Sequence, residues 1–287
     1  TVVALMAEAG TGPVRTFSVG FDEPTGTYSE LRYARLAAAA SGAVHREFTV
    51  TPHLETVLPQ LVWHSDQLVA DPAAFPLFLL AREAKTQVTT VLTGDGGDEV
   101  FGGYDTNIAH QLAERFRRWP GLIRRAAHWC ASALPPSRGR MGVAFRAKRF
   151  VRGAEADPGT AHALWRIISD RAGRAALLSE SDADGGEPEA AVAALWAACS
   201  GDVVARALQV DLETYLPDDI LVKTDTMSMA HGVEIRCPFL DRALVEYMFS
   251  LPTAAKVRGW SRKRFLRLAM AERLPDEILR RNKQGFS

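Results

Sequence analysis

Two hydrophobic periods alternate along the first hundred residues, and each switch between them marks an element. Thr1–Ala9 carries helical spacing and meets Gly10 and Gly12 with Pro13 beyond, a pattern that ends a helix. From Val14 to Gly20 the apolar side chains fall at 17, 19 and 21, the two-residue period of a short strand. Ser29–Ser41 returns to helical spacing through Leu31, Ala34, Leu36 and Ala38, with Gly42 as its C-cap. His45–Val50 alternates again, and residues 53–65 regain the helical stripe at Leu54, Val57, Leu58 and Leu61. Asp71 followed by Pro72 reads as an N-cap with proline at the first helical position, opening an apolar helix to about Thr86. Val88–Leu92 is a continuous apolar run, which predicts a strand buried on both faces.

Strands alternating with helices predict an α/β fold, a three-layer parallel sheet with helices on both faces. Such sheets bind ligands beyond the carboxyl ends of their strands. After about residue 105 the strand signal disappears, and helical patterning continues, broken by loops at Pro135–Gly139 and Ser179–Glu189. The expected organisation is an α/β nucleotide-type part over 1–105, a helical region over 106–200, and a further helical region over 201–287.

Composition narrows the class. Of 287 residues, 47% are hydrophobic and 24% charged, which excludes global disorder and allows a sizeable core. No apolar run approaches the about 18 residues of a membrane span, and TVVALMAEAG has no basic n-region or cleavage pattern. The expectation is a soluble, cytoplasmic protein with no membrane partner. Cys130, Cys199 and Cys237 stand apart without ligand-spaced partners, arguing against disulfides and zinc. Net charge is zero, yet Arg115–Arg152 holds eleven basic residues and no acid. Its interleaved Phe116, Trp119, Trp129, Phe145 and Phe150 admit a nucleic-acid reading, but no binding-module signature accompanies them. The bland reading is amphipathic helices with aromatics in the core and solvated arginines. Because the five acids of Ser179–Glu189 cannot neutralise eleven bases, an acidic protein or peptide partner is expected at Arg115–Arg152. A homodimer is left open.

The chemistry concentrates in Thr93–Tyr104, TGDGGDEVFGGY, where a strand runs into glycines, acids and a helix start at about Glu99. Glycines at 94, 96 and 97 let backbone approach a ligand, and N–H groups at a helix start face an anion. Asp95, Asp98 and Glu99 beside such a turn make sense if Mg²⁺ bridges carboxylate to phosphate. Taken alone, the turn reads first as acids capping a helix. A second segment, Leu216–Pro252, places Asp225, Glu234, Arg236 and Asp241 around a loop from His231 to Leu240. Asp241 reads as the N-cap of the following helix, with Leu240 and Val245 as its hydrophobic staple. On its own this set reads as a structural ion-pair network.

Together the segments resemble the carboxy-terminal synthetase domain of the asparagine synthetase family. Thr93–Tyr104 is similar to that family's S/T-G-D/E-G-x-D-E-x-F-G-G-Y, and Leu216–Asp241 to its L-P-D-D-x-L-x-K-x-D-x-M-S-M-A-x-G-x-E-x-R-x-P-F-L-D. Lys263-Arg-Phe-Leu-Arg resembles its K-x-x-L-R helix, and Arg281–Ser287 its R-x-K-Q-G-F-S. The likeness covers nearly the whole chain and is weakest between 106 and 200.

The resemblance implies an adenine-nucleotide-binding fold of PP-loop type and an AMP- and pyrophosphate-forming, amide-forming ligase. Such an enzyme adenylates a carboxylate with Mg-ATP; an amine then attacks the acyl-adenylate. Aspartate is the first expected substrate, with ammonia supplied by a glutaminase domain not present here. By that likeness Val19, Thr93 and Gly94 contact the nucleotide, and Asp98 and Glu99 lie on the Mg²⁺–pyrophosphate side. Asp95 and Lys263 are implied as catalytic, Lys263 beside the reacting phosphate; its other reading is a solvated helix face. Asp225, Glu234 and Arg236 fall to the substrate side.

The chain departs from the family pattern at its start. The S-G-G-x-D-S loop that precedes the first helix in the family is absent, as is a glutaminase nucleophile, so a fragment of a longer enzyme is expected. Three lost phosphate contacts at about 1.5–3 kcal/mol each amount to roughly 10³- to 10⁶-fold, so the fragment alone is expected to be nearly inactive. A relative activating another carboxylate, of β-lactam synthetase or peptide-cyclase type, and a non-catalytic partner-binding remnant are the competing readings.

Overall fold

A computed structural model describes residues 1–10, 12–21, 30–50, 54–67, 70–135, 142–167, 171–177 and 187–281. The chain begins α1 (Val2–Ala9), β1 (Arg15–Phe21), α2 (Leu31–Ala40), β2 (Val44–Val50), α3 (Leu54–Ser65), α4 (Ala74–Lys85), β3 (Thr90–Leu92) and α5 (Gly97–Phe101). Helices continue as α6 (Asp105–Arg117), α7 (Gly121–Ala133), α8 (Val143–Ala154), α9 (Pro158–Arg166), α10 (Arg171–Leu177), α11 (Pro188–Ala198) and α12 (Val203–Glu213). A π-helical stretch, Leu216–Leu221, enters α13 (Val222–Met229), followed by β4 (Glu234–Arg236) and a 3-10 turn, Pro238–Leu240. The chain closes with α14 (Arg242–Ser250), α15 (Thr253–Lys256), α16 (Arg264–Ala269) and α17 (Asp276–Leu279). Residues 136–139 and 179–186 of the two expected loops, and 282–287 of the last motif, lie outside the described residues.

The fold is mixed α/β, mostly helical with small parallel sheets, and it divides into two compact units. The first comprises Thr1–Phe101, Thr214–Ser250 and Lys263–Ser287; the second comprises Gly102–Glu213 and Leu251–Arg262.

In the first unit β1 and β2 pair in parallel from Arg15↔Val44 to Phe21↔Val50, with α2 as the crossover. Helix α2 stops as its sequence requires. Gly42 takes φ +61, its N–H donates to the Ala39 carbonyl at 3.2 Å, and Ala43 N–H reaches back to Ala38 at 2.9 Å. This is a Schellman closure, which satisfies carbonyls that the helix end leaves open. Gly20 is needed for packing, because a Cβ there would lie 2.4 Å from Leu31. The core gathers Val19, Val57, Leu61, Phe75, Phe78, Leu79 and Met227. Phe78 is buried to 1% exposure, so its truncation to alanine costs about 3–5 kcal/mol.

Two expectations need correction here. The strand at Val88–Leu92 shortens to Thr90–Leu92, with Thr90 exposed and the other two half-buried. Among the described residues it pairs with β4 alone, so it is not the strand covered on both faces that its apolar run suggests. The loop expected at His231–Leu240 contains that partner strand. β4 runs parallel to β3 in the register Thr90↔Glu234 to Leu92↔Arg236. Its signal was masked because two of its three residues are charged and exposed. The two pairs, β1–β2 and β3–β4, are separate two-stranded sheets among the described residues, so a three-layer sheet is not shown.

The second unit is helical. Asp157 caps α9, accepting from Gly159 N–H at 3.1 Å and Thr160 N–H at 3.0 Å, with Pro158 at the first position. One apolar cluster joins Ala113, Phe116, Ala154, Ala161 and Trp165; a second joins Trp196, Cys199, Ala207 and Val210. A polar chain runs through the same unit. His110 and His162 share a hydrogen bond of 3.1 Å, His162 meets Asp211 at 3.2 Å, and Arg166 reaches the other Asp211 oxygen at 2.5 Å. Arg166 also lies over the Tyr104 ring, 4.0 Å from its centroid. His110, His162 and Asp211 are each at most 1% exposed.

Burial, then the neighbouring His162 charge, holds the His110 pKa well below its ordinary value, against the opposing pull of Asp211. The unfolded chain therefore binds a proton near pH 6.5 that folded His110 refuses, and stability falls as pH drops below about 6.5. Melting followed between neutral and mildly acidic pH by the fluorescence of Trp165 and Trp196 should show that loss. Both rings sit within 5 Å of His110, at 4.8 and 4.7 Å. His110→Gln should flatten the dependence; an equal slope in the variant shows that another group carries it.

Candidate functional site

Strand pairing assembles the site. Thr93 N–H donates to the Arg236 carbonyl at 3.0 Å, extending the β3–β4 ladder to the point where the glycine turn begins. The turn rolls into α5 through Gly97 N–H to the Gly94 carbonyl, 3.2 Å, and Val100 N–H to Gly96, 2.9 Å. Gly96 has φ +82, and a Cβ there would fall 2.2 Å from the Leu240 side chain. A Cβ on Gly97 would meet the Phe239 ring at 3.0 Å and the Lys263 ammonium at 3.8 Å. Phe239 in turn packs edge-on against Phe101, centroids 5.3 Å apart.

Each acid of the turn has its own setting. Asp95 is half-buried, and its Oδ2 accepts from Thr93 Oγ1 at 2.9 Å and from Thr224 Oγ1 at 3.3 Å. Cys237 Sγ lies 3.5 Å from the same Thr93 hydroxyl. Burial pushes the Cys237 thiol pKa up despite the Thr93 hydrogen bond, so it is a neutral thiol and no nucleophile at pH 7. Asp98 Oδ1 meets Lys263 Nζ at 2.8 Å. Glu99, at 1% exposure, is buried and faces no solvent.

Lys263 does not occupy the exposed helix face that its basic neighbours suggest. It is the residue before α16, held at φ 49 and ψ 37, and its side chain is one-third exposed. A non-glycine residue in the left-handed region costs about 1–3 kcal/mol and persists where surroundings over-determine it. Its pairing with Asp98 across 165 positions of sequence is such a constraint.

The remaining expected residues spread out. Val19 sends its side chain into the core, leaving only its backbone for a ligand. Gly94 is exposed, with open space where a Cβ would stand. The expected ion-pair network of the second segment does not form. Glu234 and Arg236 pair with each other at 2.7 Å on the surface, Asp225 is exposed, and Asp241 caps α14 through Leu244 N–H at 3.2 Å. Adjacent exposed charges satisfy each other locally at less entropic cost than a network of long side chains.

One pair escaped the sequence reading. Lys223, within the second motif, ion-pairs with Asp71, whose other oxygen accepts Ala73 N–H at 2.8 Å. Asp71 was legible as a cap, but α4 starts two residues later than that reading placed it, at Ala74. Nothing local to Asp71 signals a lysine 152 residues away.

The likeness of the motifs extends to the entire chain. The family model described as Asparagine synthase matches residues 1–287, and the chain belongs to that family. It is 31% identical over 95% of its length to asparagine synthetase [glutamine-hydrolyzing] 1 of Bacillus subtilis, covering 42% of that protein. It is 34% identical over its full length to a putative asparagine synthetase [glutamine-hydrolyzing] of Mycobacterium bovis, covering 43%. Amidase chry2 of Gibberella zeae is 26% identical over 95% of the chain, again with 43% of the relative covered. The chain thus spans less than half the length of these curated relatives.

Exposed Gly94 and buried Gly96 should separate on substitution. Gly96→Ala meets both a positive φ and Leu240, so it should lower stability by about 1–3 kcal/mol or more. Gly94→Ala meets neither and should melt like the unsubstituted protein. Denaturant unfolding of the two variants checks this, and equal midpoints contradict the packing described.

Proposed function

We propose that this chain is the synthetase part of an ATP-dependent amide-forming ligase that adenylates a carboxylate and transfers ammonia to it. Aspartate is the substrate proposed first, with ammonia from glutamine giving asparagine, AMP and pyrophosphate. The observation carrying the reading is convergence: Asp95 with Thr224, Gly96 with Leu240, and Asp98 with Lys263 join three motifs far apart in sequence. Family membership and the names of the Bacillus and Mycobacterium relatives support it.

Each residue has a role in this reading. The Val19 backbone at the β1 end, Thr93 and Gly94 bind the nucleotide; the open space over Gly94 leaves room for a ligand against bare backbone. Lys263 neutralises charge on the transferring phosphate while Asp98 holds its ammonium in place. Asp95, fixed by two hydroxyl donors, acts on the reacting carboxyl side. Asp225, Glu234 and Arg236 are exposed and serve the substrate side of the same reading.

Among the described residues no group of three or more His, Cys, Asp or Glu is placed to hold a metal. That donor set suits Mg²⁺ arriving with ATP and held chiefly by phosphate oxygens, with Asp98 as the protein carboxylate and buried Glu99 behind it. The ion would supply neutralisation of phosphate charge. We further propose a cytoplasmic location and a larger parallel sheet uniting β1–β2 with β3–β4.

A second reading has one observation behind it. A relative named an amidase matches nearly the same span as the synthetases, so a carboxylate other than aspartate remains the alternative substrate class. A non-catalytic remnant is disfavoured by the intact Asp98–Lys263 pair and hydroxyl-bound Asp95.

The test is aspartate-dependent ATP–pyrophosphate exchange in the intact protein. Asp98→Asn should abolish exchange and leave any glutaminase activity unchanged; wild-type exchange would reduce the acids to helix caps. Lys263→Ala should lower turnover about 10²- to 10³-fold, the size of one lost electrostatic stabiliser. Lys263→Arg should recover part of it. A fall in melting temperature with unchanged turnover per folded molecule would sink the assignment.

A further inference from the structure

Helix α7 is covered on one side only. Ala127 packs on the apolar cluster around Phe116, and Ala131 one turn later is buried. Leu122, Ala126, Trp129 and Ala133 lie on the opposite side of the helix and are all exposed, Leu122 at 81% and Trp129 at 73%. Steps of four, three and four residues keep these side chains on one face, the spacing of a coiled-coil seam. Large and small alternate along it, so Leu122 and Trp129 stand as knobs beside the gaps left by Ala126 and Ala133. Alternation of this kind lets the side chains of a second helix interdigitate. A lipid surface rewards buried apolar area alone and gains nothing from the two alanines.

Charge narrows the partner. Arg125 borders the seam and Arg118 lies just before α7; both are exposed, and among the described residues neither forms an ion pair. Their neighbours are engaged inside the unit, Arg117 with the Ala156 carbonyl at 3.2 Å and Arg124 with Glu155 at 3.9 Å. Charges flanking a seam select the partner helix by sign. A second copy of α7 would bring more arginines to the seam, which like-charge repulsion disfavours. We propose that the outer face of α7 docks an amphipathic α-helix of another protein, one with large apolar side chains at three- and four-residue steps and acids flanking them. The acidic partner expected along Arg115–Arg152 is thereby confined to one helix face and two arginines. This goes beyond the ligase reading and does not rest on it, since the residues of that reading lie in the first unit.

The intact protein is labelled with fluorotryptophan, and the Trp129 fluorine NMR signal is assigned through Trp129→Phe. It is titrated with a monomeric synthetic helix that carries leucine at the seam positions and glutamate beside them. A second arm uses the same helix with lysine in place of glutamate, and a third uses vesicles of phosphatidylglycerol and phosphatidylcholine. The Trp129 signal should move saturably with the acidic helix, and the lysine helix should bind at least about tenfold more weakly. Arg118→Glu/Arg125→Glu, at two exposed and unpaired positions, should weaken the acidic helix by about tenfold or more. Ala126→Trp should abolish its binding by filling the gap in the seam, whereas a lipid-binding face would keep or gain affinity. No saturable movement, or equal affinity for the two helices, overturns the proposal. Movement with vesicles in place of the acidic helix assigns the face to lipid, and movement on concentrating the protein alone assigns it to a second copy; either result also overturns it.

Discussion

The close approach of the glycine turn to the Pro238–Leu240 turn is the constraint on which the site depends. Gly96 and Gly97 lie against Leu240 and Phe239 at distances no Cβ could occupy unmoved. That contact is reached only because β3 and β4 pair in parallel and carry both turns to the same end of the ladder. Close packing of this kind transmits displacement, so a shift of either turn would move Asp95 and Asp98 together.

Charge in the site is arranged by burial as much as by pairing. Asp95 rests on neutral hydroxyl donors from Thr93 and Thr224, whereas Asp98 faces an ammonium. Two carboxylates three residues apart thus occupy different electrostatic settings, the arrangement that lets neighbouring acids take different roles. Lys263 adds a strained backbone to this set, a feature that recurs where a side chain must be held for function.

The second unit solves another problem. It buries His110, His162 and Asp211 in one chain and carries Arg166 over Tyr104, a polar spine inside an otherwise apolar helical packing. Hydrogen bonds along such a spine specify how helices register, and breaking one is costly. The basic segment is only partly the solvated face its sequence suggests. Phe116 is core, but Trp119, Trp129 and Phe145 remain exposed and several arginines are tied to acids or carbonyls within the unit.

The sequence by itself determined the elements whose signals are local. Helix α2 with its Gly42 closure, the Asp241 cap, strands β1 and β2, and the glycine turn all follow from nearest-neighbour chemistry. The motifs likewise marked Asp95, Asp98 and Lys263 and, by likeness, their family. Tertiary structure alone decided what depends on residues distant in sequence. β4 exists because β3 lies beside it, although Glu234 and Arg236 are exposed charges with weak strand preference. The Lys223–Asp71 pair and the left-handed turn at Lys263 also have no local signal, because each is imposed by a partner more than a hundred positions away. Long-range pairing also separated the acids into hydroxyl-bound, ion-paired and buried ones, a distinction that a run of adjacent carboxylates in the sequence does not contain.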